Sequence, residues 1–236
     1  SASSNASSVV AIDPASGSIV ASQQMPSEPD LLSITDDQQY LYVSLPAIGS
    51  IARLKLPSLA PDIQWNANSP ITNGHPSITA LQAAPGLPHT VAAAQLGGST
   101  KALVIYDDGV ARPNVFSTPS LSQETIDSIQ WGADASVIYG TTAVVSGGVE
   151  FQFAVNSSGA TLANSGEGVF GDFSKQIVYD PASANLYDGY GHVIDPSTGK
   201  LVGAYSVVNT LSYEPNNFAI DSVLDRAYFI NDAVYP

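Results

Sequence analysis

Short stretches of alternating apolar and polar residues, broken every few positions by Gly, Pro, Asn or Asp, run the length of this chain. No other feature limits its possible folds as strongly. Alternation with a period of two marks strands, and the 3.6-residue periodicity of an amphipathic helix is hard to find. Val9-Val10-Ala11-Ile12-Asp13 is followed by Pro14-Ala15-Ser16-Gly17 and then by Ser18-Ile19-Val20-Ala21-Ser22. This reads as strand, tight turn, strand: the Asp13 carboxylate can bond its own turn backbone, and Gly17 can take a positive φ. The run from His192 through Asp195-Pro196-Ser197-Thr198-Gly199 to Val202 repeats the device nearly residue for residue.

A second kind of hairpin follows each of these. Leu32 to Val43 reads as a strand, a polar turn around Asp36-Asp37, and a strand carrying Tyr40 and Tyr42. Counterparts run from Ile129 to Tyr139, from Ile177 to Tyr187 and from Phe218 to Phe229; the weakest, Ala80 to Ala93, has small residues in place of the aromatic. Hairpins of the first kind begin near residues 9, 51, 102, 151 and 192. The period is therefore about 40 to 50 residues, with four strands per unit, which is the signature of β-propeller blades. One blade cannot bury both faces of its sheet alone, so neighbours must stack around an axis. The expected organisation is an all-β fold: a flexible segment over residues 1–8, then a β-propeller of four-stranded blades over residues 9–236. The repeat count gives five blades, with the N-terminal strands completing the last; part of a longer ring, for instance a seven-bladed one, is the rival reading.

Three segments in succession carry a family resemblance: Val10-Ala11-Ile12-Asp13-Pro14-Ala15-Ser16-Gly17, then Glu28-Pro29, then Tyr40-Leu41-Tyr42-Val43-Ser44. Together they resemble one unit of the YVTN-type β-propeller repeat family. His192 to Val202 followed by Glu214-Pro215 resembles another. The likeness is strong in the first and last units and degenerate between them. It implies a fold and no particular chemistry.

Composition removes several function classes. The net charge is −14, from 21 acidic and 7 basic residues, with no cluster of Lys or Arg. That argues against nucleic acid, whose phosphates are met by clustered cations, and against anionic membrane surfaces. No apolar run reaches the ~20 residues of a transmembrane helix. With no cysteine, disulfides, thiolate metal sites and a Cys nucleophile are excluded. Charged residues make up only 12% of the chain, and Ser, Ala, Thr, Asn, Gln and Gly take their place. Few lysines, no cysteine and the Ser-rich start SASSNASS predict an extracytoplasmic protein, secreted, periplasmic or at a cell surface.

Aligning the units exposes one recurrent polar position. Glu28, Glu124 and Glu214 stand four residues before the first landmark of the second hairpin, His75 takes the matching place in the second unit, and Asp172 lies beside it in the fourth. Asp30 and Asp127 are close by. A proline follows Glu28, His75 and Glu214, which forces an extended approach to the strand. In a propeller such side chains could converge on one mouth of the central channel. Converging carboxylates would bind a hard cation such as Ca²⁺, or, as a pair about 5 to 9 Å apart, perform glycosidase chemistry. A plainer account carries more weight: a polar residue before proline caps a turn and faces solvent.

The remaining motifs are weaker. The turn aspartates, Asp107-Asp108-Gly109 among them, lack the EF-hand pattern and are read as hairpin turns. His75, His89 and His192 are too scattered for a zinc motif, and Ser146-Gly147-Gly148 lacks the nucleophile-elbow pattern. Tyr42, Tyr139, Tyr187 and Tyr228 recur at one blade position and are assigned to the core, which leaves Trp65 and Tyr190 as the freer aromatics for ligand contact. Two functions follow: a binding or scaffold propeller for a protein, glycan or ion, or alternatively a propeller enzyme, glycoside hydrolase or lactonase-like, with carboxylates at the channel mouth.

Overall fold

The computed structural model describes residues 7–68, 75–97, 100–119, 126–142, 149–167, 176–206, 217–224 and 226–230. A first hairpin joins β1 (Ser8–Ile12) to β2 (Ile19–Gln24). Four larger sheets follow. The first contains β3 (Leu32–Ile34), β4 (Tyr40–Leu45), β5 (Ser50–Lys55) and β6 (Ala60–Asn66). The second contains β7 (Ser77–Ala84), β8 (Leu87–Gly97), β9 (Thr100–Asp107) and β10 (Val110–Ala111), with β11 (Phe116–Pro119) also paired to β9. Next come β12 (Ser128–Trp131), β13 (Val137–Thr141), β14 (Val149–Asn156) and β15 (Gly159–Glu167), then β16 (Ile177–Asp180), β17 (Asn185–Asp188), β18 (His192–Asp195) and β19 (Lys200–Ala204). A last two-stranded sheet pairs β20 (Asn217–Asp221) with β21 (Arg226–Ile230).

Each four-stranded path is an antiparallel meander in chain order, the form of a propeller blade. A blade opens with a hairpin of the second kind and closes with one of the first, so both sequence patterns take the places expected of them. Even the weakest copy is fully built: β8 is eleven residues long, and its Ala92, Ala93 and Ala94 are completely buried.

The chain forms two compact units: Ser1–Ser120 with Ser157–Ala160, and Leu121–Asn156 with Thr161–Pro236. In the first, the middle strands β4 and β5 of the β3–β6 blade are buried on both faces and feed two cores with alternate residues. Tyr42 and Ile51 pack with Ile78, Val91, Val104 and Tyr106 of the next blade. Their strand neighbours Leu41, Val43, Ala52 and Leu54 pack with Val9 and Met25 on the other side. Side chains alternate across a strand, so a strand between two cores reads as nearly continuous apolar sequence, as β4 (YLYVSL) does. In the second unit a small cluster of Ile177, Leu186 and Ile194 is bordered by Tyr139 and Tyr179, whose rings stack at 5.9 Å.

The recurrent tyrosines do not share one environment. Tyr42 and Tyr187 are buried and Tyr139 is half-buried. Tyr228, on the two-stranded β20–β21 sheet, is 48% exposed, which corrects its assignment to the core.

Candidate functional site

At the blade entrances the backbone is fixed and the side chains project. The Asp30 N–H donates to the Ser44 carbonyl at 3.1 Å, and the Leu31 N–H donates to Ser44 Oγ at 2.8 Å. In the second unit the Asp127 N–H donates to the Thr141 carbonyl at 2.8 Å. Asp30 and Asp127 are thus the same structural position in two blades, each extending the first ladder of its blade. Glu28 and Asp30 are exposed and Asp127 is half-buried. His75, also exposed, is seated against Gly49, where an added Cβ would lie 2.8 Å from the His75 Cα. Gly49 has a φ of 57° and ends a 3-10 turn over Pro46–Ile48, so glycine is the residue that fits. Glu124, Asp172 and Glu214 lie outside the described residues. Among the described residues no three His, Asp or Glu side chains are grouped so as to hold a metal ion.

The most elaborate polar cluster was not apparent in the sequence. Arg53, on β5, is 4% exposed. Its Nε donates to Asp62 Oδ2 at 2.7 Å, and its Nη2 lies 2.7 Å from Asp62 Oδ2 and 2.8 Å from Asp108 Oδ1. The guanidinium carbon sits 4.8 Å from the Tyr40 ring centroid, a cation–π distance. Asp108 also meets His89 Nδ1 at 3.1 Å, and Lys55 Nζ lies 3.4 Å from Asp62 Oδ1. Burial pushes the Asp62 and Asp108 carboxyls up, but Arg53, joined by Lys55 at Asp62 and by His89 at Asp108, outweighs it and holds both below the ordinary carboxylate value. Beside them, Asp107 is held low chiefly by Arg112, whose Nε is 2.8 Å away, against the upward push of burial. Asp108 and Gly109 supply the positive φ angles, 45° and 79°, of the tight β9–β10 turn. The hairpin reading of this Asp-Asp-Gly string therefore describes its backbone, while Asp108 also joins two blades.

Trp65 completes this junction and is not a free platform. Its ring lies 6.3 Å from Tyr42 and 5.8 Å from Tyr106, and its Nε1 is buried. A Cβ at Gly109 would come within 3.1 Å of the indole. Tyr106 donates to the Ala67 carbonyl at 2.8 Å and accepts from Gln95 Nε2 at 2.7 Å, and burial pushes its hydroxyl up to about 12.

In the second unit the buried carboxylates hold turns. Asp188 is fully buried; its Oδ1 accepts from the Tyr190 and His192 N–H groups, both at 2.9 Å, and its Oδ2 lies 2.8 Å from His192 Nδ1. Tyr190 is half-buried, its ring 6.3 Å from that of His192. Asp180 accepts from the Ala182 and Ser183 N–H groups at 3.1 Å and from the Ser183 and Ser222 hydroxyls. Burial pushes its carboxyl up, and those bonds, Ser222 first, bring it below the usual value.

No family model matches the chain, and no curated protein matches it. Solved structures do. The chain is similar to the β-propeller domain of Cps50 (Swd1) from Myceliophteria thermophila, with 12% identity and a TM-score of 0.59 over 86% of this chain and 63% of that one. It is similar to the Dos1 propeller at 13% identity and a TM-score of 0.61, over 89% and 56% of the two chains. It is also similar to KlHsv2 with loop 6CD replaced by a Gly-Ser linker, at 9% and 0.54, over 69% and 53%. The chain spans less than two thirds of each of these structures. At such identities the likeness establishes the fold alone: this is a β-propeller protein.

Proposed function

We propose that this chain is an exported binding or scaffold module of the YVTN-repeat type, which presents its blade-entrance loops to a protein, glycan or ion. The observation that carries this reading is the pairing of exposed side chains with a tied backbone at the entrances. Glu28, Asp30 and His75 project from segments anchored by Ser44 and Gly49. A stem held by ladder bonds loses little entropy on binding, and that favours recognition. Export is supported by the low charge, the scarcity of lysine and the absence of cysteine.

A glycan array and calorimetric titration with Ca²⁺, run beside hydrolysis assays on aryl glycosides and lactones, tests the reading. Binding without turnover, weakened by a combined Glu28→Ala, Asp30→Ala and His75→Ala variant, is the expected result. Turnover lost in Glu28→Gln or Glu214→Gln would replace it with the enzymatic alternative. Fractionation of the expressing cell tests export.

A further inference from the structure

The hydrogen bonds of Asp30 and Asp127 set the two blades in register. Ser44 corresponds to Thr141, and two residues earlier Tyr42 corresponds to Tyr139. Tyr42 stands opposite Arg53 on the neighbouring strand, and Tyr139 opposite Gln152. Gln152 therefore holds the place of Arg53, the residue that seals the junction in the first unit. The outer strand differs too. Where β6 brings Trp65 against the next blade, β15 brings Asn164, Ser165 and Gly166. The facing turn ends in glycine in both cases, Gly109 in the first unit and Gly199 in the second, and a Cβ on Gly199 would meet nothing within 4 Å.

What is filled in one junction is open in the other. A cleft of about 220 Å³ lies between the β12–β15 and β16–β19 blades, inside the second unit. Its apolar floor includes Phe151, Leu186 and Ile194, all under 10% exposed, and Tyr139 stands on its wall. Gln152 and Asn164 contribute side-chain amides that bond no other described residue. The Ser197 and Thr198 hydroxyls donate to Asp195, which leaves their lone pairs as acceptors.

We infer that this inter-blade cleft binds a single neutral sugar ring. The inference rests on the reading of the chain as a binding module and names a ligand class for it. A pyranose or furanose offers a C–H face for the apolar floor and hydroxyls that both donate and accept, matching the two amides and two acceptor hydroxyls at the rim. Anions are disfavoured, because among the described residues Glu150 is the one charged residue that lines the cleft. A cationic side chain needs acceptors only and would leave the amide N–H donors unmatched. The volume is below the ~300 Å³ at which drug-sized pockets begin, which limits the guest to about one ring. Affinity for a free monosaccharide is on the order of millimolar, as expected for so few contacts.

Saturation-transfer NMR on the full chain, with a hexose, an N-acetylhexosamine, a deoxyhexose and a pentose as probes, decides the matter. Transfer to at least one sugar is expected. Ser165→Trp, which imports the plug of the other junction, abolishes it. Gln152→Ala and Asn164→Ala each weaken it about tenfold. Both residues reach solvent, so these variants decide the outcome if the tryptophan variant fails to fold. No transfer to any probe, or transfer unchanged in folded Ser165→Trp and in the amide variants, overturns the site. A glycan or Ca²⁺ bound by the wild type but indifferent to all three substitutions also overturns the site, while leaving the entrance-loop reading intact.

Discussion

The junction behind Tyr42 and the junction behind Tyr139 are built on the same strand ladders, yet one is sealed and the other open. In the first unit a buried guanidinium is satisfied by two carboxylates and a tyrosine face, and an indole closes the gap above it. In the second, an amide and a run of Asn164-Ser165-Gly166 replace them and leave a cleft. Burying a charge costs several kcal/mol unless it is fully paired, so the sealed junction depends on Arg53 keeping its partners. The open one has no such dependence, since its core is the apolar cluster of Ile177, Leu186 and Ile194. Antiparallel ladders thus set where a blade stands, and a few side chains decide whether the space beside it is filled. A repeat fold can therefore vary one junction without disturbing the next.

Three perturbations test that contrast. Arg53→Met leaves Asp62 with only the exposed Lys55 and Asp108 with only His89, and should cost about 3 kcal/mol, read by urea denaturation of the full chain. A loss below about 1 kcal/mol would mean that the hub is not what seals this junction. Acid should act in the same direction. The Asp62, Asp107 and Asp108 carboxyls lie below their ordinary value of 3.8 in the folded chain. Their contribution is therefore complete above the unfolded-state value and is lost as pH falls through the lower folded values. Melting temperatures should drop below about pH 4 in the wild type, and the drop should be shallower in Arg53→Met. Equal slopes would show that the Arg53 pairs with Asp62 and Asp108 do not set the acid limb. The smallest effect, a slight fall in melting temperature, is expected for Asp195→Ala in the exposed β18–β19 turn, read by thermal unfolding.

The hairpins were legible because their signals are local. In the first turn the Asp13 carboxylate accepts from the Ala15 N–H at 3.0 Å, and Gly17 has a φ of 68°. Asp195 and Gly199, with a φ of 64°, repeat the arrangement. Sequence alternation likewise carried the blade order. The entrance position was visible through its prolines, whereas its anchoring by Ser44 was not, because that bond spans a hairpin. Arg53 carries one sequence signal: a cation set between the apolar residues Ala52 and Leu54 inside SIARLK, whereas Lys55 stands at the exposed end of the strand, in a chain with only 7 basic residues. Its partners come from β4, β6 and the β9–β10 turn, so spacing could not group them. The packing of Trp65 was not legible for a related reason. The residues beside it in β6, Gln64 and Asn66, are polar and exposed, and the aromatics that pack on it belong to β4 and β9.

The placement of the indoles has an optical consequence. The chain has two tryptophans, one in each compact unit: Trp65 at the sealed junction and Trp131, 5% exposed, on β12. Replacing either with phenylalanine leaves a single tryptophan, which excitation at the red edge of the absorption band selects over the eleven tyrosines, reporting on its own unit. Emission from Trp65 then follows the Arg53 junction, and emission from Trp131 follows the blade that carries the cleft. The protein is in effect supplied with two separable reporters, through which the loosening of each unit can be timed in one cuvette without an added dye.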